Sequence, residues 1–195
     1  MNKKIYDDLT NNKIKFYSYD NEQENTNYPL DGSLILSGSF NPLHDGHINL
    51  LKASLNEYNK IPLYEISITN VDKSKIVFND LLKRISQFKS LGKLVITNSP
   101  TFEEKSKIFT KSVFVIGYDT AERLVDNKYY KNGFKESLNI IERNNCSFLV
   151  SGRLIKNKYY KPANINFDGY DHLFDTLSEE KFRLDISSTE LRNLS

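Results

Sequence analysis

Apolar positions fall into two rhythms along the chain. Short, mostly unbroken runs stand at residues 34–36, 64–69, 94–97, 113–118 and 147–150. Each has strand length, so the pattern predicts five strands covered on both faces. Between the runs, apolar residues recur at helical spacing. In 78–91, Leu81, Leu82, Ile85 and Phe88 share one face before Gly92 stops the helix. Segments 48–58, 101–109 and 134–144 read as helices too. Strands alternating with helices predict an α/β fold, a doubly wound five-stranded parallel sheet with helices on both faces.

The two flanks break this rhythm. Residues 1–31 are polar and asparagine-rich, with one short strand predicted at 13–19. They read as an N-terminal extension, a mobile tail or an added edge element. Residues 32–195 read as a single domain. Within it, 154–181 is rich in tyrosine, asparagine and lysine and reads as a long loop or partly ordered excursion. No internal repeat is visible.

Composition narrows the classes. The chain has 195 residues, 38% hydrophobic and 27% charged, which suits one soluble domain with a real core. A formal net charge of +2 gives no bulk electrostatic argument for nucleic acid. The single cysteine, Cys146, excludes an internal disulfide framework and heads an apolar run, as a core residue would. No apolar h-region follows the first residues and no run approaches a membrane span, so the expectation is a cytoplasmic or nuclear protein without a membrane partner. A homo-oligomer stays open.

The candidate chemistry begins after the first strand, at Ser37-Gly38-Ser39-Phe40-Asn41-Pro42-Leu43-His44-Asp45-Gly46-His47. Strand, glycine turn and helix in succession make a phosphate cradle, because helix N-terminal amides are unpaired and the helix dipole favours anions. Gly38 allows a sharp turn and a close approach of phosphate, and the Ser39 and Phe40 amides face that position. Asp45 is a candidate N-cap, with Gly46 permitting close contact between helix and ligand. Of the chain's 3 histidines, two (His44 and His47) sit here. They suit a phosphoanhydride, donating hydrogen bonds or a positive charge. A zinc site would need further ligands, and Cys146 and His172 lie far away in sequence. Satisfied structural histidines would leave the glycines and the Asn-Pro turn unexplained.

Two further motifs follow. In Asp185-Ile186-Ser187-Ser188-Thr189-Glu190-Leu191-Arg192, Ser187 and Glu190 form a capping box. The helix start can hold a second phosphate cluster, and Arg192 supplies a forked cation. In Gly117-Tyr118-Asp119, a carboxylate just past a parallel strand can accept ribose hydroxyls, or simply cap the helix at 120–125.

With these residues in order, the chain resembles the nucleotidylyltransferase superfamily. GSFNPLHDGH resembles its (H/T)xGH signature in the form carried by nicotinamide or nicotinate mononucleotide adenylyltransferases, and DISSTELR is similar to their ISSTxxR motif. The longer set SGSFNPLHDGH, VDK, GYDTAERL, CSFLVSGR and DISSTELR resembles a plant-and-fungal branch. The resemblance implies a Rossmann-like fold and transfer of AMP from ATP to a mononucleotide phosphate, with pyrophosphate released. Mg²⁺ would bridge substrate phosphates without a carboxylate cage. It implies that His44, His47 and Arg192 act on the triphosphate, that Ile186, Ser187, Ser188 and Thr189 hold its β- and γ-phosphates, and that Gly117 and Asp119 lie beside the nucleotide. Arg153, after the 147–150 strand, and Lys73, with Lys75 nearby, match basic positions of the family. The chain departs from it in having no tryptophan to stack on a pyridine ring. Tyr129 or Tyr130 could take that place, or be an ordinary amphipathic pair. Rival readings are a cytidylyltransferase for a phospho-alcohol such as phosphoethanolamine, a catalytically silent nucleotide-binding module, and a hydrolase of the anhydride.

Overall fold

The computed structural model describes residues 1–20, 23–25, 29–71, 74–130, 133–156 and 158–182. In chain order the first half runs α1 (Lys3–Thr10), β1 (Phe16–Asp20), β2 (Gln23–Asn25), β3 (Ser33–Ser37), α2 (Asp45–Leu55), β4 (Ile61–Ser67), α3 (Phe78–Ser86) and β5 (Lys93–Thr97). Then come α4 (Phe102–Ser106), β6 (Val113–Gly117), α5 (Tyr118–Leu124), α6 (Phe134–Arg143), β7 (Ser147–Ser151), β8 (Arg153–Ile155), β9 (Lys158–Tyr160) and β10 (Phe174–Leu177).

Among the described residues, the main sheet has the order β10-β7-β6-β3-β4-β5-β1-β2. The five expected strands are β3 to β7, and all their mutual pairings are parallel. From β3 the chain steps outward through β4 to β5, then returns to β6 on the other side of β3. The winding reverses between β3 and β6, and a crevice opens there at the carboxyl ends of the strands.

Alternation along the strands divides the core. Leu34, Leu36, Tyr64, Ile66, Leu94 and Ile96 pack with Leu50, Leu51 and Leu81 of α2 and α3 on one face. Ile35, Leu63, Val95, Phe114 and Ile116 pack with Ala121, Leu124, Leu138 and Ile141 of α5 and α6 on the other. Cys146 fills that second core, and its thiol donates to the Phe109 carbonyl at 3.1 Å.

Both flanks join the sheet. The strand expected at 13–19 is β1, antiparallel to β5, with Phe16 opposite Thr97. The unexpected α1 buries Tyr6 and Leu9 in the first core. The 154–181 excursion forms the β8–β9 hairpin and then β10, which lies parallel to β7. Among the described residues, the strand at 147–150 is therefore followed by three more. Phe174 anchors β10, its ring stacked 3.8 Å from Phe167 and 4.9 Å from Phe148. No helix among the described residues is long and apolar enough to cross a membrane.

Candidate active site

The loop after β3 is shaped by one inward-turned ring. Phe40 adopts φ 42 and is buried, its ring 4.9 Å from His47, 5.8 Å from Tyr64 and 5.1 Å from Phe88. A Cβ on Gly38 would stand 2.9 Å from two atoms of that ring. The space left by the glycine is thus filled by Phe40, and the Gly38 N–H donates to the Glu65 carbonyl at 3.0 Å. The loop then passes through a cis Asn41–Pro42 bond. His44, not Asp45, is the N-cap of α2, because its backbone is extended while Asp45 is already helical. Asp45 lies in the first turn.

The two histidines sit together. Their ring centroids are 3.8 Å apart, and His47 Nδ1 accepts a hydrogen bond from the His44 N–H at 3.3 Å. Burial, with the neighbouring His44 imidazole adding to it, lowers the His47 pKa to about 4. His44 is also lowered, by burial, with Asp45 opposing. His47 is therefore neutral at pH 7, and with Nδ1 accepting, its proton stands on Nε2. The sequence left open a charge or a hydrogen bond; for His47 the geometry leaves a neutral N–H donor.

Around this pair the Ser39, Phe40, Asp45 and Gly46 amides have no hydrogen-bond partner among the described residues. α3 and the residue after it hold the loop that presents them. Arg84 Nη1 donates to the Ser39 carbonyl at 2.9 Å. Gln87 Nε2 donates to the Phe40 carbonyl at 3.0 Å, while Gln87 Oε1 accepts from the Leu43 N–H at 2.8 Å. Sequence reasoning missed both residues.

Across the crevice, Asp119 and Arg153 form an ion pair, so the structure joins two residues selected separately from the sequence. Gly117, not Asp119, is the N-cap of α5, which removes the capping explanation for that carboxylate. Arg153 arrives on β8, and a Cβ on Gly152 would lie 2.6 Å from the Tyr160 carbonyl and 2.4 Å from the Tyr159 ring. Only glycine lets the hairpin fold back this closely. Its signal was hidden, since the tyrosines it meets come from a segment read as a loop.

The carboxyl ends of the strands also border a cavity of about 440 Å³. Ser37, Gly38 and Ser39 line one part of it, and Phe102, Tyr129 and Tyr130 supply aromatic wall. His44, His47 and Asp119 are not among its lining residues. Thr120, Arg123 and Leu124 of α5 line it as well, so the cavity reaches from the ends of β3 and β4 to the helix after β6. Burial, with Glu103 and Asp126 nearby, pushes Tyr130 up to about 12.

Residues 35–194 match the family model described as cytidylyltransferase-like. The chain belongs to this family. It is 29% identical over 110 residues to a putative nicotinamide mononucleotide adenylyltransferase of Schizosaccharomyces pombe, covering 50% of this chain and 43% of the relative. It is 41% identical over 59 residues to a phosphopantetheine adenylyltransferase of Mycoplasma capricolum, covering 30% and 39%. A phosphopantetheine adenylyltransferase of Mycoplasma mycoides is 39% identical over 57 residues, covering 29% and 38%. The chain spans less than half the length of each of these relatives.

The cytidylyltransferase-like region ends in the stretch 183–194, which lies outside the described residues. Ile186, Ser187, Ser188, Thr189 and Arg192 fall there, and so does Lys73 in its own gap. Lys75 is described, and its ammonium stands 5.8 Å from the Tyr6 ring centroid. His172, read as a surface residue, is exposed and meets Glu142 at 2.7 Å. Among the described residues, no group of three His, Cys, Asp or Glu could hold a metal.

Proposed function

We propose that this chain is an adenylyltransferase that moves AMP from ATP to the phosphate of nicotinamide or nicotinate mononucleotide. The observation that carries this reading is the neutral His47 donor beside four unpartnered amides at the head of α2, adjoining an aromatic-walled cavity. The S. pombe relative and the loop sequence favour the pyridine mononucleotides as acceptors.

ATP enters as its Mg²⁺ complex, with the triphosphate at the head of α2. An oxygen of the acceptor phosphate, already ionised at neutral pH, attacks the α-phosphorus. The bond between the α-phosphorus and the bridging oxygen to the β-phosphate breaks, and pyrophosphate leaves. No enzyme nucleophile is required. The chain positions the reactants and stabilises charge where it develops. His47 Nε2–H and His44 donate to triphosphate oxygens, and the Ser39 and Phe40 amides take the acceptor phosphate or α-phosphate. Asp119 accepts from the ATP ribose, with Arg153 fixing its carboxylate. Ser187, Ser188, Thr189 and Arg192 hold the departing pyrophosphate, Ile186 leads into them, and Lys73 adds a phosphate contact. Tyr129 or Tyr130 stacks on the pyridine ring in place of tryptophan.

The test is pyrophosphate release from purified protein with MgATP and each pyridine mononucleotide. Parallel reactions use CTP as donor, and phosphopantetheine or phosphoethanolamine as acceptor. His47→Ala removes one preorganised donor, and the expected loss in kcat is about 10²–10³-fold with the fold retained by circular dichroism. Near wild-type turnover in that variant would sink the mechanism.

A further inference from the structure

One face of the sheet changes character at its carboxyl end. Upstream, the strands present Ile35, Leu63 and Val95 to the α4–α6 side. Two residues on, the same face carries Ser37, Glu65 and Thr97, and then Ser67. Glu65 is 0% exposed, and the Lys105 side chain is 7% exposed. Lys105 Nζ meets Glu65 Oε2 at 2.5 Å, and the Thr97 hydroxyl donates to Glu65 Oε1 at 2.6 Å.

The cluster is not closed on itself. An ammonium has three N–H donors. Lys105 gives one to Glu65, no described residue accepts the other two, and Lys105 lines the cavity. Ser37 Oγ and Ser67 Oγ are buried without a partner among the described residues, and both residues line the same cavity. Buried polar groups left in this state are costly, so a purely structural ion pair would be expected to close its own hydrogen bonds. Here the open donors converge on a pocket that also has an aromatic wall, with the Phe102 ring centroid 5.7 Å from Lys105 Nζ.

The geometry points to a function within the pyridine reading, on which it rests. We propose that Lys105, clamped by Glu65, and Ser67 bind the carboxamide oxygen of the acceptor's ring, so that nicotinamide mononucleotide is preferred over the nicotinate form. The orientation follows from Arg84, which is tied to the Ser39 carbonyl at the end where the acceptor phosphate must lie. The ring then reaches towards Lys105. The preference follows from charge. Glu65 already balances Lys105, and a ring carboxylate would set two anions against one ammonium in a dry site. A carboxamide oxygen takes the same donors without adding charge.

The experiment compares kcat/KM for the two mononucleotides at saturating MgATP. Wild type should favour the amide by about tenfold or more, the scale of one desolvated polar mismatch. Glu65→Gln leaves the ammonium uncompensated and should move the ratio towards the acid by about tenfold. Ser67→Ala keeps the variant set informative if Glu65→Gln does not fold. It should raise the acceptor KM roughly three- to tenfold, leave kcat and the ATP KM unchanged, and not lower the melting temperature. A structural serine would lower the melting temperature and leave the acceptor KM alone. Equal use of both acceptors by wild type, or an unmoved ratio together with an unmoved Ser67→Ala KM, overturns the proposal while the pyridine reading stands. Turnover of neither pyridine nucleotide overturns that reading and this proposal with it.

Discussion

An imidazole in water takes a proton near pH 6.5, but His47 in the folded chain resists until about 4. Between those values the unfolded chain binds more protons than the folded one, so stability falls as pH falls through that window. Above 6.5 the stability is fully present. The shift corresponds to an upper bound of roughly 3 kcal/mol, less what partial exposure screens. Urea unfolding at pH 7, 5.5 and 4.5 should show this decline, and His47→Gln should flatten it; an equal slope in the variant would assign the loss to other groups. The sequence did show the two histidines and the cradle. It did not show the neutrality of His47, because the ring that dries it is Phe40, whose inward turn at φ 42 belongs to no helical or strand rhythm. Lys105 was equally hidden, since it stands on α4 and its partner Glu65 on β4, 40 residues earlier.

At the scale of elements, α3 is the clearest case of half-legible function. Its apolar face at Leu81 and Phe88 was readable from spacing, and that face does join the core. The opposite use, Arg84 and Gln87 reaching back to the cradle, has no sequence rhythm because exposed polar residues do not name the loop they touch. Gln87→Ala removes both of its bonds to the Phe40 carbonyl and the Leu43 amide. Each such bond is worth about 1 kcal/mol, so kcat/KM for pyrophosphate release should fall by about 10-fold or more. Amide exchange at Leu43 should quicken in the same variant. Unchanged exchange and unchanged turnover would show that the loop holds itself. The helix at 101–109 is shorter in the fold, Phe102–Ser106, but it still delivers Phe102 and Lys105 to the cavity.

At the scale of the molecule, the alternation of runs was enough for the central parallel sheet, because burial on both faces writes itself as unbroken apolar stretches. The edges escaped because each has a polar side. α1, KKIYDDLT, commits only Tyr6 and Leu9 to burial, and β10, FDTL, buries only its two end residues, Phe174 and Leu177, with Asp175 and Thr176 exposed between them. Leu9 is 0% exposed and packs in the same core as α2 and α3. Leu9→Ala should therefore cost about 2–5 kcal/mol, with loss of pyrophosphate release and loss of ellipticity coinciding during denaturation. A wild-type midpoint would mean that residues 3–10 fold apart from the sheet.

The placement of β1 also sets a schedule. During synthesis it emerges before the other strands, yet Phe16 must wait for Thr97, about 80 residues later. At the usual 5–20 residues per second, this amounts to roughly 4–16 s. Throughout that interval Tyr17, which the finished sheet buries, lacks its partner Ile96 on β5. The nascent chain therefore carries an open edge on this aromatic strand until the ribosome has delivered β5, and the speed of translation determines how long a chaperone would have to shield it.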